Sequence, residues 1–433
     1  MQTTEKTLTI EEAFRSHTLE LIKLRGWISS RSDVGALLFA TLRDGTGYIQ
    51  IAGKRGVTRD EVINEMRNAS VESSVLLSGV VKEDKRAPGG KEVQVSSFRI
   101  VAPADKWPIT KTAVKSRSFL YDNRHLSIRG RKSIAVMRIR AQIIHAAFDF
   151  FAKNGFMLIS APTLVQAASE GGSTLFSLDY FGKEAFLTQS SQFYEEAAIC
   201  SFEKVFIFQP AFRAEKSRTP KHLTEFWMIE AEQAFASQED NLNLQESFLS
   251  VVLKHVIEKN QAELETLGRT FELPNLPYPR ISYNDVWKMA TEKGMAFEWG
   301  NDLPTDVERM ISIDTKSPFF ITDYPATSRG FYHMLKEEDE RLTLSADLIA
   351  PEGFGEIATG GQRIHDLELL TKRVKEQDLS SESFKWYMDL RKYGLPPHSG
   401  FGIGVERTVR WVCGLKNIRT ASLFPRTITR ISP

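Results

Sequence analysis

Residues 205–235 read VFIFQPAFRAEKSRTPKHLTEFWMIEAEQAF, and the architecture of the chain follows from them. Val205–Phe212 alternates and runs into Arg213-Ala214-Glu215; Thr224–Phe235 alternates again. Lys216-Ser-Arg-Thr-Pro-Lys-His222 lies between the two runs. Two alternating runs around a polar, Pro-containing loop predict an antiparallel hairpin with a basic loop. Side chains two apart share a strand face, so Arg213 and Glu215 point the same way. On the return strand Phe226, Met228, Glu230 and Glu232 share one face, and Trp227, Ile229 and Ala231 share the other. The apolar set belongs behind, against a core; the charges and one aromatic belong in front. Arg213, Lys216, Arg218, Lys221 and His222 suit a polyphosphate, and Phe226 suits stacking on a nucleobase. An exposed, charge-paired hairpin remains the alternative reading of these residues.

Two further segments carry chemistry. Gly400-Phe-Gly402-Ile-Gly404-Val-Glu406-Arg407 reads as a strand end opening a helix. Arg407 stands where a dinucleotide fingerprint needs its third glycine, which excludes that site. An Arg in a first helical turn suits a nucleotide phosphate; the alternative is a surface Arg held by Glu406. Gly353-Phe-Gly-Glu356-Ile-Ala-Thr359-Gly360-Gly361-Gln362-Arg363 places Glu356 and Arg363 seven apart, on opposite faces of a regular strand. A bulge at Gly360-Gly361 would bring both to one face, where a carboxylate suits Mg²⁺ beside phosphates; a Gly-rich turn with an exposed charge pair is the alternative.

Around these segments strands and helices mix without a βαβ repeat, so an α+β domain is expected over 134–433, an antiparallel sheet flanked by helices. It opens with an amphipathic helix, Ile134 to Lys153, ended by Asn154-Gly155, with Ile139, Ile143, Ala147, Phe150 and Phe151 at helical spacing. Further helices are expected at Asn241–Leu267 and Ser380–Lys392. Residues 1–103 read as five strands (Leu24–Ser29, Leu37–Leu42, Tyr48–Ile51, Val75–Val81, Val93–Val101) with a helix, Arg59–Met66, between the third and fourth. That is the order of an OB-fold β-barrel. Residues 104–133 form a hinge or linker; from Lys106 to Lys132 it carries eight Lys or Arg and one acid, Asp122. Such a strip is either a solvated connector or a phosphate contact.

Composition sets outer bounds. The chain has 433 residues, 42% hydrophobic and 26% charged, which excludes a disordered tail or a disulfide-stapled miniprotein. No apolar run has membrane-span length, and Met1-Gln-Thr-Thr-Glu-Lys lacks a signal-peptide core. Cys200 and Cys413 are far apart, without metal-ligand spacing, so no zinc site is expected and the cytoplasm is the expected location. The net charge of +1 hides local patches: Arg407 to Pro433 holds six Lys or Arg and no acid.

Together the motifs resemble those of class II aminoacyl-tRNA synthetases. Arg213-Ala-Glu215 with His222-Leu-Thr-Glu225-Phe226 looks like motif 2, Gly402-Ile-Gly404-Val-Glu406-Arg407 like motif 3, and Asn154-Gly155-Phe156 through Pro162 like motif 1. With an N-terminal OB-fold, nearly the whole chain resembles the aspartyl, asparaginyl and lysyl subgroup. The resemblance implies ATP as substrate, Mg²⁺, an aminoacyl-adenylate intermediate, transfer to tRNA, and a homodimer built through motif 1. It implies that Arg213 holds the α-phosphate and the amino-acid carboxylate, and that Glu215 and Phe226 hold adenine. Leu223 and Gly404 would line the ATP site, His222 and Arg407 bind the outer phosphates, and Glu356 and Thr359 hold the metal. Glu170-Gly-Gly-Ser173 and Ser191-Gln192-Phe-Tyr194-Glu195-Glu196 resemble the amino-acid-binding elements, with Glu170 and Gln192 on the substrate ammonium.

Aspartyl enzymes carry a Lys where Glu195 stands, and often a Gln where Glu196 stands. A carboxylate there repels aspartate and accepts from an amide, and Glu196 holds the position asparaginyl enzymes use for it. Arg363 would donate to the side-chain carbonyl. Trp386-Tyr387-Met-Asp-Leu-Arg391 and Asp347-Leu-Ile-Ala-Pro-Glu352 also look asparaginyl, of archaeal type. Leu395-Pro-Pro-His398 and Gln362-Arg363-Ile-His365-Asp366 look aspartyl. The expected substrates are therefore asparagine and tRNA(Asn). Aspartate ligation, including charging of both tRNAs, is the runner-up, and a non-catalytic or amino-acid-metabolising paralogue a minor alternative. In the OB-fold, Phe39 and Gln50 match residues that stack on and hydrogen-bond to the central anticodon base, with Arg31 a further contact; a barrel-core Phe39 is the alternative.

Overall fold

In a computed structural model, residues 7–166, 174–216, 219, 221–379 and 383–433 are described. The chain divides into two compact units, Met1–Leu120 and Tyr121–Pro433.

In the first unit, beside a two-residue edge strand Thr7–Leu8, alternation of apolar and polar residues makes five longer strands: β1 (Leu21–Val34), β2 (Leu37–Arg43), β3 (Tyr48–Lys54), β4 (Ser74–Glu83) and β5 (Lys91–Ala102). They pair in the order β1-β2-β3-β5-β4, and β4 returns to β1, closing the barrel. Helix α1 (Asp60–Asn68) lies between β3 and β4 in sequence, with two acids in its first turn and Arg67 in its last, as the helix dipole favours. Its Val62, Ile63 and Met66 join Leu38, Leu42, Ile49 and Ile51 in the barrel core. The observed order is that of the expected OB-fold.

In the second unit, α2 (Arg131–Lys153) starts three residues before the expected Ile134 and ends at Asn154, before Gly155 at φ +78°. Ile139, Ile143, Ala147, Phe150 and Phe151 are core residues, as their spacing predicts. The central sheet has eight strands: β6 (Met157–Leu158), β7 (Lys204–Phe212), β8 (Glu225–Ala234), β9 (Arg280–Ser282), β10 (Phe319–Thr322), β11 (Ser345–Ala350), β12 (Gly355–Gln362) and β13 (His398–Gly404). Their order is β9-β10-β11-β12-β13-β8-β7-β6. All pairs but the outermost at each end are antiparallel. Helix α3 (Gln192–Phe202) precedes β7, α4 (Gln238–Lys259) follows β8, α5 (Lys385–Lys392) precedes β13, and α6 (Val405–Val412) follows it.

One expectation needs correction. The helix expected over Asn241–Leu267 is two helices, because Asn260 ends α4 and precedes a second helix, Gln261–Leu267. The start of the helix expected from Ser380 lies outside the described residues. The boundary between the two units falls within the basic stretch 104–133; in it Arg124 is buried and donates to the carbonyls of Leu423 (2.7 Å) and Ser422 (3.0 Å), so that one side chain is closed to phosphates.

Candidate active site

The front face of the sheet opens on a cleft of about 920 Å³. The hairpin positions it as the alternation requires. Phe226, Met228, Glu230 and Glu232 line the cleft, while Trp227, Ile229 and Ala231 pack into the core behind. The glycines of β13 make room for them. Met228, Glu230 and Glu232 lie opposite Gly404, Gly402 and Gly400. A Cβ on Gly400 would stand 1.9 Å from Glu232 Oε2, and one on Gly402 2.8 Å from Met228 Cε. Any larger residue at Gly400 drives the Glu232 side chain out of place, and one at Gly402 displaces the tip of Met228.

Glu356 and Thr359 also reach the cleft, through a bulge placed differently from expectation. Leu348 pairs with Ala358 but Ile349 pairs with Glu356, so Ile357 is the extra residue, not Gly360 or Gly361. Those glycines serve close packing: a Cβ on Gly360 meets the Gly400 carbonyl at 2.5 Å, and one on Gly361 meets His333 Nδ1 at 2.6 Å.

One end of the cleft is cationic. Arg213 and Glu215 lie just past β7, in the loop rather than on the strand, and the Arg213 guanidinium sits over the Phe226 ring, 5.5 Å from its centre. Buried Leu223 and Gly404 line the same cleft, and Gly404 caps α6 so that Arg407 falls in its first turn. Arg407 does not pair with Glu406; that carboxylate is taken by Arg140 (2.8 Å) and the Trp227 N–H (2.9 Å). Arg407 pairs instead with Glu356. Burial raises the Glu356 carboxyl, but Arg407, Lys221 and Arg213 outweigh it and bring it to about 2. Burial, then Arg407 and Lys221, push His222 down to about 4, so its ring is neutral at pH 7. Its Nδ1 meets Thr219 Oγ1, and its Nε2 lies 3.7 Å from Glu215. Lys221 differs from the loop cation expected: it is buried, with Nζ 2.8 and 2.9 Å from the two oxygens of Glu308. Arg218 lies outside the described residues.

The other end is acidic and buried. Arg363 and Glu232 form a two-point ion pair, Nη2–Oε2 3.1 Å and Nε–Oε1 3.2 Å, and both line the cleft. Burial lifts the Glu232 carboxyl above its usual range in spite of Arg363. Gln192 and Glu195 line this end too. Ser191 Oγ meets both Glu195 and Glu230, and its N–H donates to Glu230 (2.9 Å). One hydroxyl proton cannot serve two carboxylates. Burial and the Glu230 charge push the Glu195 carboxyl well above its usual range. Glu195 therefore enters the cleft hydrogen-bonded to Ser191, with its negative charge disfavoured by burial.

Glu196 needs the larger correction. It lies behind the cleft wall, fully buried, and its oxygens accept from Tyr387, Arg391, His398 and Gln192 Nε2, so it is no direct contact for a substrate amide. Glu170 and Ser173 lie outside the described residues.

Thr359 Oγ1 donates to Asp347 (2.8 Å) and lies 3.3 Å from Glu356. Asp347 in turn binds Arg329, and burial lifts its carboxyl to about 6. Among the described residues no cluster of three His, Cys, Asp or Glu has metal-site geometry. Glu230, Glu232, Asp347 and Glu308, the partner of Lys221, are the site residues sequence reasoning did not select. The first two were legible as face-mates of Phe226; the others come from strands and helices remote in sequence.

In the barrel, Phe39 alternates with buried Leu38 and Ala40 and is half-buried on the outer face, which rules out the core reading. Phe39 pairs with Ala52 and Thr41 with Gln50, so Phe39 and Gln50 are diagonal neighbours on that face. Gln50 Nε2 donates to Glu92 (2.9 Å). Arg31 does not join them. It pairs with Ala40, on the opposite face, and its guanidinium binds the carbonyls of Arg67 and Ala69 at the end of α1.

The family of class II tRNA synthetases (D, K and N) matches residues 116–428, and the OB-fold nucleic acid binding domain matches residues 22–101. The asparagine–tRNA ligase of Desulforamulus reducens is 44% identical over 421 residues, 96% of this chain and 97% of that protein. That of Thermoplasma acidophilum is 40% identical over 426 residues, 98% and 99% of the two chains. The solved structure of asparaginyl-tRNA synthetase from Pyrococcus horikoshii complexed with asparaginyl-adenylate superposes with a TM-score of 0.95 at 40% identity. It covers 99% of this chain and all of that one.

Proposed function

This chain belongs to the class II tRNA synthetases of the D, K and N group, and from that premise we propose that it ligates asparagine to tRNA(Asn) through an asparaginyl-adenylate. The observation that carries the choice of amino acid is the Arg363–Glu232 pair at the buried end of the cleft. A side-chain amide satisfies both members: Arg363 donates to its carbonyl, and Glu232 accepts from its NH₂. An aspartate carboxylate brings a second acceptor against Glu232 and leaves both without a donor between them.

In the first step the asparagine carboxylate attacks the α-phosphorus of ATP, and pyrophosphate leaves. The carboxylate is already the nucleophile, so no general base is needed. Arg213 draws the carboxylate and the α-phosphate together, and Phe226 fixes the adenine by stacking. Arg407, at the positive end of α6, takes negative charge on the outer phosphates. His222, its ring neutral at pH 7, donates an N–H to the same phosphates. Mg²⁺ fits the donor set: Glu356 and Thr359 offer hard oxygens on one strand, and Mg²⁺ is commonly held by one or two carboxylates and the substrate phosphates. Bound there, it would neutralise phosphate charge.

The proposal extends to the partners. The barrel face bearing Phe39 and Gln50 stacks on and hydrogen-bonds to unpaired anticodon bases. Residues Met157 and Leu158 of β6, exposed on an edge strand of the sheet, suit pairing with a second copy in a homodimer. The cytoplasm, where its tRNA and ATP substrates meet, is its place of action. No helix among the described residues is long and apolar enough to cross a membrane.

Pyrophosphate exchange tests the reading. Asparagine is expected to drive incorporation of labelled pyrophosphate into ATP, and exchange driven only by aspartate would overturn it.

A further inference from the structure

Behind the amino-acid end of the cleft lies a fully buried polar cluster built on Glu196. Its Oε2 accepts from the Tyr387 hydroxyl (2.7 Å), Arg391 Nη2 (2.6 Å) and His398 Nε2 (3.0 Å); its Oε1 accepts from Gln192 Nε2 (2.9 Å). Gln192 and Glu196 stand one turn apart on α3, so the contact is built into the helix. A carboxylate among four donors can only accept. Arg391 and His398 hold it in that form: burial pushes the Glu196 carboxyl up, but the Arg391 charge and the hydrogen bond from His398 outweigh it and keep it well below the usual range.

The consequence falls on Gln192, which lines the cleft. Its amide has one donor end and one acceptor end, and the two are interchangeable by a half-turn. With Nε2 committed to Glu196, the Oε1 end is presented to the cleft. We infer that Glu196 is a positioning residue: it locks the Gln192 amide so that its oxygen, not its NH₂, meets the substrate α-ammonium. This rests on the reading that Gln192 binds the ammonium. It replaces direct recognition of the asparagine side chain by Glu196, and it makes that residue indifferent to whether the side chain is an amide or an acid.

The test uses the full-length protein and two probes, the sulfamoyl analogue of asparaginyl-adenylate and its α-deamino counterpart, titrated calorimetrically. The wild type is expected to prefer the amino form by roughly 10- to 100-fold, the range of a hydrogen bond to a charged group. Gln192→Met removes the acceptor and should collapse that ratio toward one. Glu196→Gln should collapse it as well, because the new amide NH₂ donates to Gln192 Oε1 and turns the Gln192 NH₂ toward the ammonium. ATP affinity should hold in both variants. The double variant Gln192→Glu with Glu196→Gln keeps the charge of the buried cluster and needs no orientation, since both carboxylate oxygens accept; it should restore the preference. If Gln192→Met keeps the wild-type ratio, the reading of Gln192 fails. If Gln192→Met loses the ratio while Glu196→Gln keeps it, the orientation lock is refuted and the reading of Gln192 stands. Should Glu196→Gln not fold, the double variant decides: a ratio near one overturns the inference.

Discussion

Replacing Arg363 by Met separates the two roles assigned to that side chain. Arg363 and Glu232 are 4% and 1% exposed and touch at two points, 3.1 and 3.2 Å. Removing one partner of a buried pair costs about 3–5 kcal/mol, because the other charge is left without compensation. For a catalytic unit of about 300 residues, an unfolding entropy of about 2.1 cal/mol/K per residue converts this to a fall in Tm of about 5–8 °C. Burial already lifts the Glu232 carboxyl, and in the variant it would titrate well above its unfolded value of about 4.3. The folded variant then binds an extra proton, so its deficit shrinks as pH falls toward 5 and grows as pH rises. Activity should respond differently. Loss of the donor to the asparagine carbonyl removes a charge-assisted hydrogen bond and should lower kcat/KM for asparagine about 10- to 150-fold in pyrophosphate exchange, with KM for ATP little changed. The double variant Arg363→Met with Glu232→Gln removes both charges, so it should recover much of the Tm and none of the asparagine activity. Wild-type kcat/KM for asparagine in Arg363→Met, or a Tm within about 1 °C of wild type, would refute the reasoning.

Three other outcomes are expected. Folding lowers His222 from 6.5 to about 4, so the folded protein expels its proton and gains stability as pH rises between those values. Polyphosphate reverses the bias, so ATP binding near pH 6 should take up a proton in calorimetry across buffers of different ionisation heat, and His222→Gln should abolish the uptake. Phe39→Ala should weaken tRNA binding by about 1–3 kcal/mol in filter assays without changing tRNA-independent pyrophosphate exchange; a loss of exchange would place Phe39 in folding instead. Glu356→Gln should raise the Mg²⁺ concentration needed for half-maximal exchange, and an unchanged titration would remove Glu356 from the metal's donors.

Much of the fold could be read because each strand of the site carries its own period. The alternation of Phe226, Met228, Glu230 and Glu232 against Trp227, Ile229 and Ala231 assigns faces without tertiary information. The glycines at 400, 402 and 404 were visible, but their purpose was not. The first two clear space for side chains on β8, and that register depends on pairing across more than 160 residues. The bulge behind Glu356 was expected at the glycines and lies at Ile357, because the glycines are needed where Phe401 and His333 crowd the backbone. Glu195 and Glu196 show the sharpest limit. Adjacent helical residues point about 100° apart, so one enters the cleft and the other goes behind it, and only the packing of α5 and β13 tells which. The strand face of Arg31 was hidden in the same way: the bulge in β1 between Ile28 and Ser30 alters which face follows it.

Aminoacylation of tRNA(Asn) and tRNA(Asp) transcripts with labelled asparagine and labelled aspartate measures the central claim directly. The account predicts asparagine on tRNA(Asn), with aspartate on neither tRNA above background. Aspartate ligated to either tRNA at a rate comparable to asparagine would contradict it, since the Glu232 carboxylate would then have failed to exclude a second acid.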